Sequence, residues 1–177
     1  MIQIQPEPGL ILKATPSRSR KLALQRSRLS LGSIGLEDKT LLALDAPAGF
    51  GKTQLLLQWR SEWLAKGGLV FWLSLDERDV PLKLAQGLLA AKAVACGQHL
   101  SLKVASHRIS QDTDELGQMT SWLAEIAELS TETLLILDDA HCLPSETVCH
   151  SLPYLLYNAP ANLHLAIASR GSIGLPT

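Results

Sequence analysis

No stretch of this chain approaches the roughly 18 to 20 consecutive apolar residues of a membrane-spanning helix. The start, Met1-Ile2-Gln3-Ile4-Gln5-Pro6, lacks the basic and apolar regions of a secretory signal. The chain therefore reads as cytoplasmic, with no membrane partner. Cysteine is scarce and odd in number, three in 177 residues, which suits reduced thiols better than a disulfide framework. His141, Cys142, Cys149 and His150 lie close in sequence but include no CxxC pair, so the usual spacing of a zinc site is missing. Neither sign of charge dominates: 16 Lys and Arg stand against 17 Asp and Glu, which argues against a general nucleic-acid-binding surface. Basic residues do cluster early, at Lys13, Arg18, Arg20, Lys21, Arg26 and Arg28 with no acid among them. A local anionic contact there stays open beside the plainer reading of a solvated arm. Repeats and low-complexity tracts are also missing, and 46% hydrophobic residues in a chain of this length suit one domain with a real core.

Residues 6 to 20, rich in Pro, Ser and Arg, read as an extended lead-in, so residues 1 to 21 are set apart from a domain over 22 to 177. Periodicity then predicts a strand near residues 40 to 46 and a helix over 52 to 65, with Leu55, Leu56, Trp59 and Trp63 on its core face. Gly67-Gly68 closes that helix, and residues 69 to 75 have the length and β-rich composition of a buried strand. A second helix is expected over residues 81 to 96, with Leu82, Ala85, Leu89 and Val94 sharing a face. Residues 97 to 111 carry no readable pattern. Asp112, with Glu115 three residues on, offers a capping box for a helix through Leu116, Met119, Leu123 and Ile126. Strands are expected at residues 133 to 137 and 163 to 168, and Pro153 predicts a kink or a fresh start near Leu152 in the helix between them. Strands alternating with helices mean a parallel sheet covered on both faces.

Between the first strand and the first long helix stands Ala46-Pro47-Ala48-Gly49-Phe50-Gly51-Lys52-Thr53. This is the layout of a phosphate-binding loop. In such a loop backbone N–H groups cradle the phosphates, the lysine neutralises β- and γ-phosphate oxygens, and the next hydroxyl holds Mg²⁺. The positive end of the following helix adds to the attraction. Ala46 replaces the first glycine of the usual G-x-x-x-x-G-K-[ST] pattern, while Gly49 and Gly51 keep the turn its φ freedom.

The second signal is Leu134-Leu135-Ile136-Leu137-Asp138-Asp139, a buried parallel strand delivering two adjacent carboxylates at its C-terminal edge. Neighbours on a strand point to opposite sides, so the two acids cannot share one task. Asp138 is the candidate Mg²⁺ ligand, through water, with Thr53. Asp139 is then the candidate base or orienter for an attacking water. The plainer alternative is a pair of turn aspartates capping the next element. Ser169-Arg170 ends the fourth strand at the same sheet edge, where open α/β sheets bind ligands, and Arg170 there can reach a γ-phosphate. His141 can orient a phosphate or water, or simply sit partly buried.

Leu24-Gln25-Arg26, the loop APAGFGKT, Gln58-Trp59, FWLSLDE at 71 to 77, LLILDDAH at 134 to 141 and NLHLAIASR at 162 to 170 occur in an order and spacing that resemble one family. They are similar to the N-terminal nucleotide-binding region of the MalT-like large ATP-binding regulators of the LuxR group, within the STAND class of P-loop ATPases. The resemblance implies an α/β P-loop NTPase fold of the ASCE/STAND type. It also implies an ATP/ADP switch: ADP holds a closed resting form, and ATP with an inducer favours a self-associating form that activates transcription. Slow hydrolysis would reset it. It would place Leu24 and Arg26 on the adenine side of the pocket. Downstream it would add a fifth strand, a helical lid and winged-helix domain, a superhelical sensor and a helix-turn-helix that binds DNA. On this reading the chain is an N-terminal fragment ending before the fifth strand and lid. The first strand would then stand near an open edge, covered by Ile2-Gln3-Ile4, by Leu10-Ile11-Leu12 or by a second copy.

A stand-alone P-loop enzyme, such as a small kinase or an AAA-type motor, is the competing reading. A kinase should carry a mobile basic lid, which the arginine-poor stretch from 109 to 169 does not supply, and no arginine finger of a motor is identifiable. Intact Lys52, Thr53, Asp138 and Asp139 speak against a degenerate, purely structural domain.

Overall fold

The computed structural model describes residues 8 to 18, 24 to 36, 39 to 97 and 114 to 173. In chain order the elements are α1 (Pro8–Lys13), α2 (Leu31–Ile34), β1 (Leu41–Asp45), α3 (Lys52–Ala65), β2 (Leu69–Ser74), α4 (Pro81–Ala95), α5 (Glu115–Ala127), β3 (Thr133–Asp138), α6 (Leu152–Tyr157) and β4 (Leu163–Ser169). Among the described residues the four strands form one parallel sheet in the order β1-β4-β3-β2, the α/β P-loop NTPase fold. β1 therefore lies at an edge. Every residue of β3 and β4 is buried, whereas β1 is only half covered.

Alternation along the strands divides the core into two layers. Phe71 and Leu73, Leu135 and Leu137, and Leu165 and Ile167 face one way and pack with Leu84, Leu88, Trp122 and Ile126 of α4 and α5. Val70 and Trp72, Leu134 and Ile136, and Ala166 and Ala168 face the other way and pack with Leu55, Leu56, Trp59 and Trp63 of α3. A side-chain period of two along each strand makes this division obligatory. Asp138 has the parity of Leu134 and Ile136, so the strand delivers its carboxylate to the α3 face.

Several local expectations change. The lead-in contains a helix, α1, which packs against α4, so Leu10-Ile11-Leu12 lies near β2 and cannot cover β1. Ile2-Gln3-Ile4 and the unread segment near 97 to 111 lie largely or wholly outside the described residues. On α4 the buried residues include Leu84, Ala85, Leu88 and Ala91, while Leu82 is exposed. The helix is apolar on nearly every side, so periodicity could not choose its face. Its contacts with β2 and α5 do. The cap of α5 is Asp114, whose side chain accepts from the Gly117 N–H at 2.8 Å, while Asp112, expected to cap it, lies outside the described residues. Near Pro153 the helix changes type, making a π-turn over Thr147–Ser151 before it continues as α6 at Leu152, so the interruption predicted at the proline is a local change of winding in a continuous helix.

Candidate functional site

The site is assembled at the C-terminal ends of β1, β3 and β4. Residues 46 to 51 leave β1, turn through Gly49 and Gly51 at φ of +83° and +77°, and enter α3 at Lys52. A β-carbon is strained at such φ values, which explains glycine at both places. Lys52 folds back over the loop, its Nζ donating to the carbonyls of Ala46 at 2.6 Å and Pro47 at 3.0 Å. The ammonium is thus centred on the loop that it would serve. Ala48 and Phe50 are exposed at its tip.

Thr53 and Asp138, 85 residues apart, meet directly: the Thr53 hydroxyl donates to Asp138 Oδ2 at 2.8 Å. Asp138 Oδ1 accepts the Asp139 N–H at 3.0 Å. Burial pushes the Asp138 carboxyl above the ordinary carboxylate range, and the charge of Asp139 adds to the shift, against the hydrogen bonds from Thr53 and Asp139 and the field of Lys52. Carboxylate and hydroxyl oxygens at the edge of a dry core are hard ligands suited to Mg²⁺, and a cation there would offset the burial penalty.

Asp139 does not continue the strand, contrary to the simple alternation expected for it. Its φ of 59° is left-handed, and it begins a short 3₁₀ turn over Ala140–Cys142. The two acids are separated by this backbone reversal as well as by strand parity. Asp139 is about 40% exposed and lies 3.8 Å from His141 Nδ1, while His141 Nε2 lies 3.5 Å from the Cys142 sulfur. Ser169 and Arg170 end β4 beside this turn. Arg170, His141, Ala140 and Ser169 line a shared cavity of about 300 Å³, open to solvent, that extends to Gly171 and Ile173.

Leu24 and Arg26 lie on the far side of the loop. Leu24 is 84% exposed, and Arg26 turns its guanidinium to the loop, donating to the Phe50 carbonyl at 2.6 Å. Sequence reasoning did not isolate the side chains that hold this segment. Gln58 bonds both the N–H and the C=O of Arg26, Trp59 Nε1 donates to the Leu29 carbonyl at 2.6 Å, and Glu62 accepts the Leu31 N–H at 2.7 Å. Gln58 and Glu62, polar residues one helical turn apart beside the buried Trp59, are the signal that was available. Asp79 was likewise passed over: it is buried, receives Lys13 Nζ at 2.6 Å, and its carbonyl accepts the Thr147 hydroxyl at 2.8 Å, which ties α1 and the π-turn to the end of β2.

No protein-family model matches the chain. Among curated proteins it is similar to the HTH-type transcriptional regulator MalT of Yersinia enterocolitica, 32% identical over 161 residues covering 88% of this chain. MalT of Yersinia pestis is 30% identical over the same share. The chain spans 17% of the length of those relatives, within their N-terminal region. Among solved structures it is similar to Cdc6p from Pyrobaculum aerophilum, with a TM-score of 0.54 at 15% identity over 93% of this chain and 43% of that one. The sequence relationship to MalT and the P-loop NTPase fold are thus reached by separate routes.

Proposed function

We propose that this chain is an adenine-nucleotide switch domain of a MalT-like transcriptional regulator. It binds Mg²⁺ with ATP or ADP, and in the longer protein it hydrolyses ATP slowly to control self-association and DNA-dependent activation in the cytoplasm. The observation that carries the reading is the 2.8 Å meeting of Thr53 with Asp138, beside a lysine already folded over a glycine-hinged loop. Thr53 and Asp138 would hold Mg²⁺, directly or through water, and Lys52 and the loop N–H groups would hold the phosphates. The cation would supply neutralisation of phosphate charge. Arg170, at the end of β4, would approach a terminal phosphate, and Asp139, the more exposed acid, would orient or deprotonate water. The family likeness supports adenine as the base and an own lid, sensor and helix-turn-helix as partners. Self-association is supported by β1, whose outer edge has no strand partner among the described residues.

A thermal-shift titration of the 177-residue chain tests the binding step. Ligand at 100 times its dissociation constant stabilises the folded state by about 2.7 kcal/mol. Lys52→Ala is expected to abolish most of that shift, and Thr53→Ala to remove its dependence on Mg²⁺. No shift with millimolar ATP or ADP would refute binding by this chain.

A further inference from the structure

Gly51 has no β-carbon and stands at a φ of +77°, so the Phe50–Gly51 peptide is only loosely restrained on its Gly51 side. A contact from outside the loop can therefore fix its orientation. The Arg26 guanidinium donates to the Phe50 carbonyl at 2.6 Å, and a β-carbon on Gly51 would lie 3.1 Å from the same Nη2. Because a peptide unit is planar and trans, holding the Phe50 C=O toward Arg26 turns the Gly51 N–H the opposite way. Arg26 is itself anchored. Its N–H donates to Gln58 Oε1 at 2.9 Å, and its carbonyl accepts from Gln58 Nε2 at 3.3 Å. The same Nε2 donates to Glu62 at 2.8 Å, which fixes the amide's orientation. Glu62 and Trp59 hold Leu31 and Leu29 in turn, so residues 26 to 31 are hung along α3, the helix that the loop feeds. Among the described residues the guanidinium has no carboxylate partner, so its contact with the loop does not compete with an ion pair.

We infer that Arg26 is a positioning residue of the phosphate loop, holding the Phe50–Gly51 peptide so that the Gly51 N–H is directed to a bound phosphate. The inference rests on the nucleotide reading above but assigns the Arg26 side chain to the loop instead of the base. A charge-assisted hydrogen bond of this kind corresponds to about a tenfold change in affinity. The probes are ATP and inorganic tripolyphosphate, together with amide exchange across residues 49 to 53 in the unliganded chain.

Arg26→Ala is expected to weaken both ligands by a similar factor and to speed exchange at Gly51 and Lys52, with the unliganded thermal midpoint unchanged. Gln58→Ala, which releases the anchor, should move affinity and exchange in the same direction by less. Loss of ATP affinity with tripolyphosphate binding intact would make Arg26 a base contact and overturn the inference. So would full recovery of affinity in Arg26→Lys while exchange stays fast, since charge alone would then explain the effect. Unchanged exchange in Arg26→Ala sinks the inference whether or not nucleotide binds. Faster exchange in a chain whose wild type binds neither ligand would instead remove the nucleotide reading and leave the loop-positioning role standing.

Discussion

β1 and β3 are close in composition, LLALD against TLLILD, yet one is half exposed and the other wholly buried. Helix cover makes the difference, since β2 is also an edge strand yet its four central residues are buried beneath α4 and α3. β3 is flanked by β2 and β4 and covered on both faces, while β1 pairs with β4 alone. The site joins the two regimes: Asp138 comes from the buried centre and the loop from Ala46 to Thr53 leaves the half-exposed edge. Such a division lets a loop adjust to its ligand against a fixed partner.

The largest expected effect tests that contrast in stability. Leu135→Ala in β3 should cost about 3 kcal/mol in urea unfolding, with its cavity enclosed on all sides. Leu42→Ala, at the half-buried edge, should cost about 1 kcal/mol. Equal losses would mean that cover by neighbouring elements does not govern stability as argued.

The next contrast is chemical and lies within the centre itself. Asp139, turned out by its left-handed backbone, is expected to act on water rather than on the metal. Asp139→Asn in the longer protein should keep ATP affinity while hydrolysis falls roughly 10²-fold, the scale of losing an acid–base group. Asp138→Asn should instead lose Mg²⁺-dependent binding. A matched loss of affinity and turnover in Asp139→Asn would reverse the two roles.

The open edge allows a third comparison. Thr40 O and Ala46 N bond to β4, so the even-numbered groups of β1 point inward and those of Leu41, Ala43 and Asp45 point outward. Ala43→Lys places a charge on the exposed middle of that edge, a device that discourages strand pairing. Light scattering should show the wild type self-associating with concentration and the variant shifted toward monomer. A wild type that stays monomeric throughout would remove the edge as an association surface.

The smallest effect concerns the opposite edge, beyond β2. A hydrogen bond from Arg78, with further help from Lys13, holds the Asp76 carboxyl well below the usual carboxylate range. A depressed folded pKa contributes stability that is present above the unfolded value of about 3.9 and is lost as pH falls through the folded value. Thermal midpoints should therefore drop on acidification below about pH 4, and Arg78→Ala should shallow that drop. The change will be slight, because Arg78 is exposed and solvent screens the pair. An identical acid limb in the variant would show that Arg78 does not hold the carboxyl.

Residue chemistry by itself determined the strands, the long helices and the loop from Ala46 to Thr53, because alternation, helical spacing and paired glycines are local physical requirements. It also named Thr53 and Asp138 together, and the fold brings them to 2.8 Å. Other features depended on contacts that no local pattern encodes. α1 is six residues long and gains its place from packing on α4 and from Lys13 meeting the buried Asp79. α4 is apolar nearly all round, so only its neighbours could select Leu84 and Leu88 over Leu82. The left-handed turn at Asp139 and the reach of Arg26 to Phe50 are likewise tertiary. The first separates two adjacent acids. The second brings together residues 24 apart in the chain through a helix that binds them both.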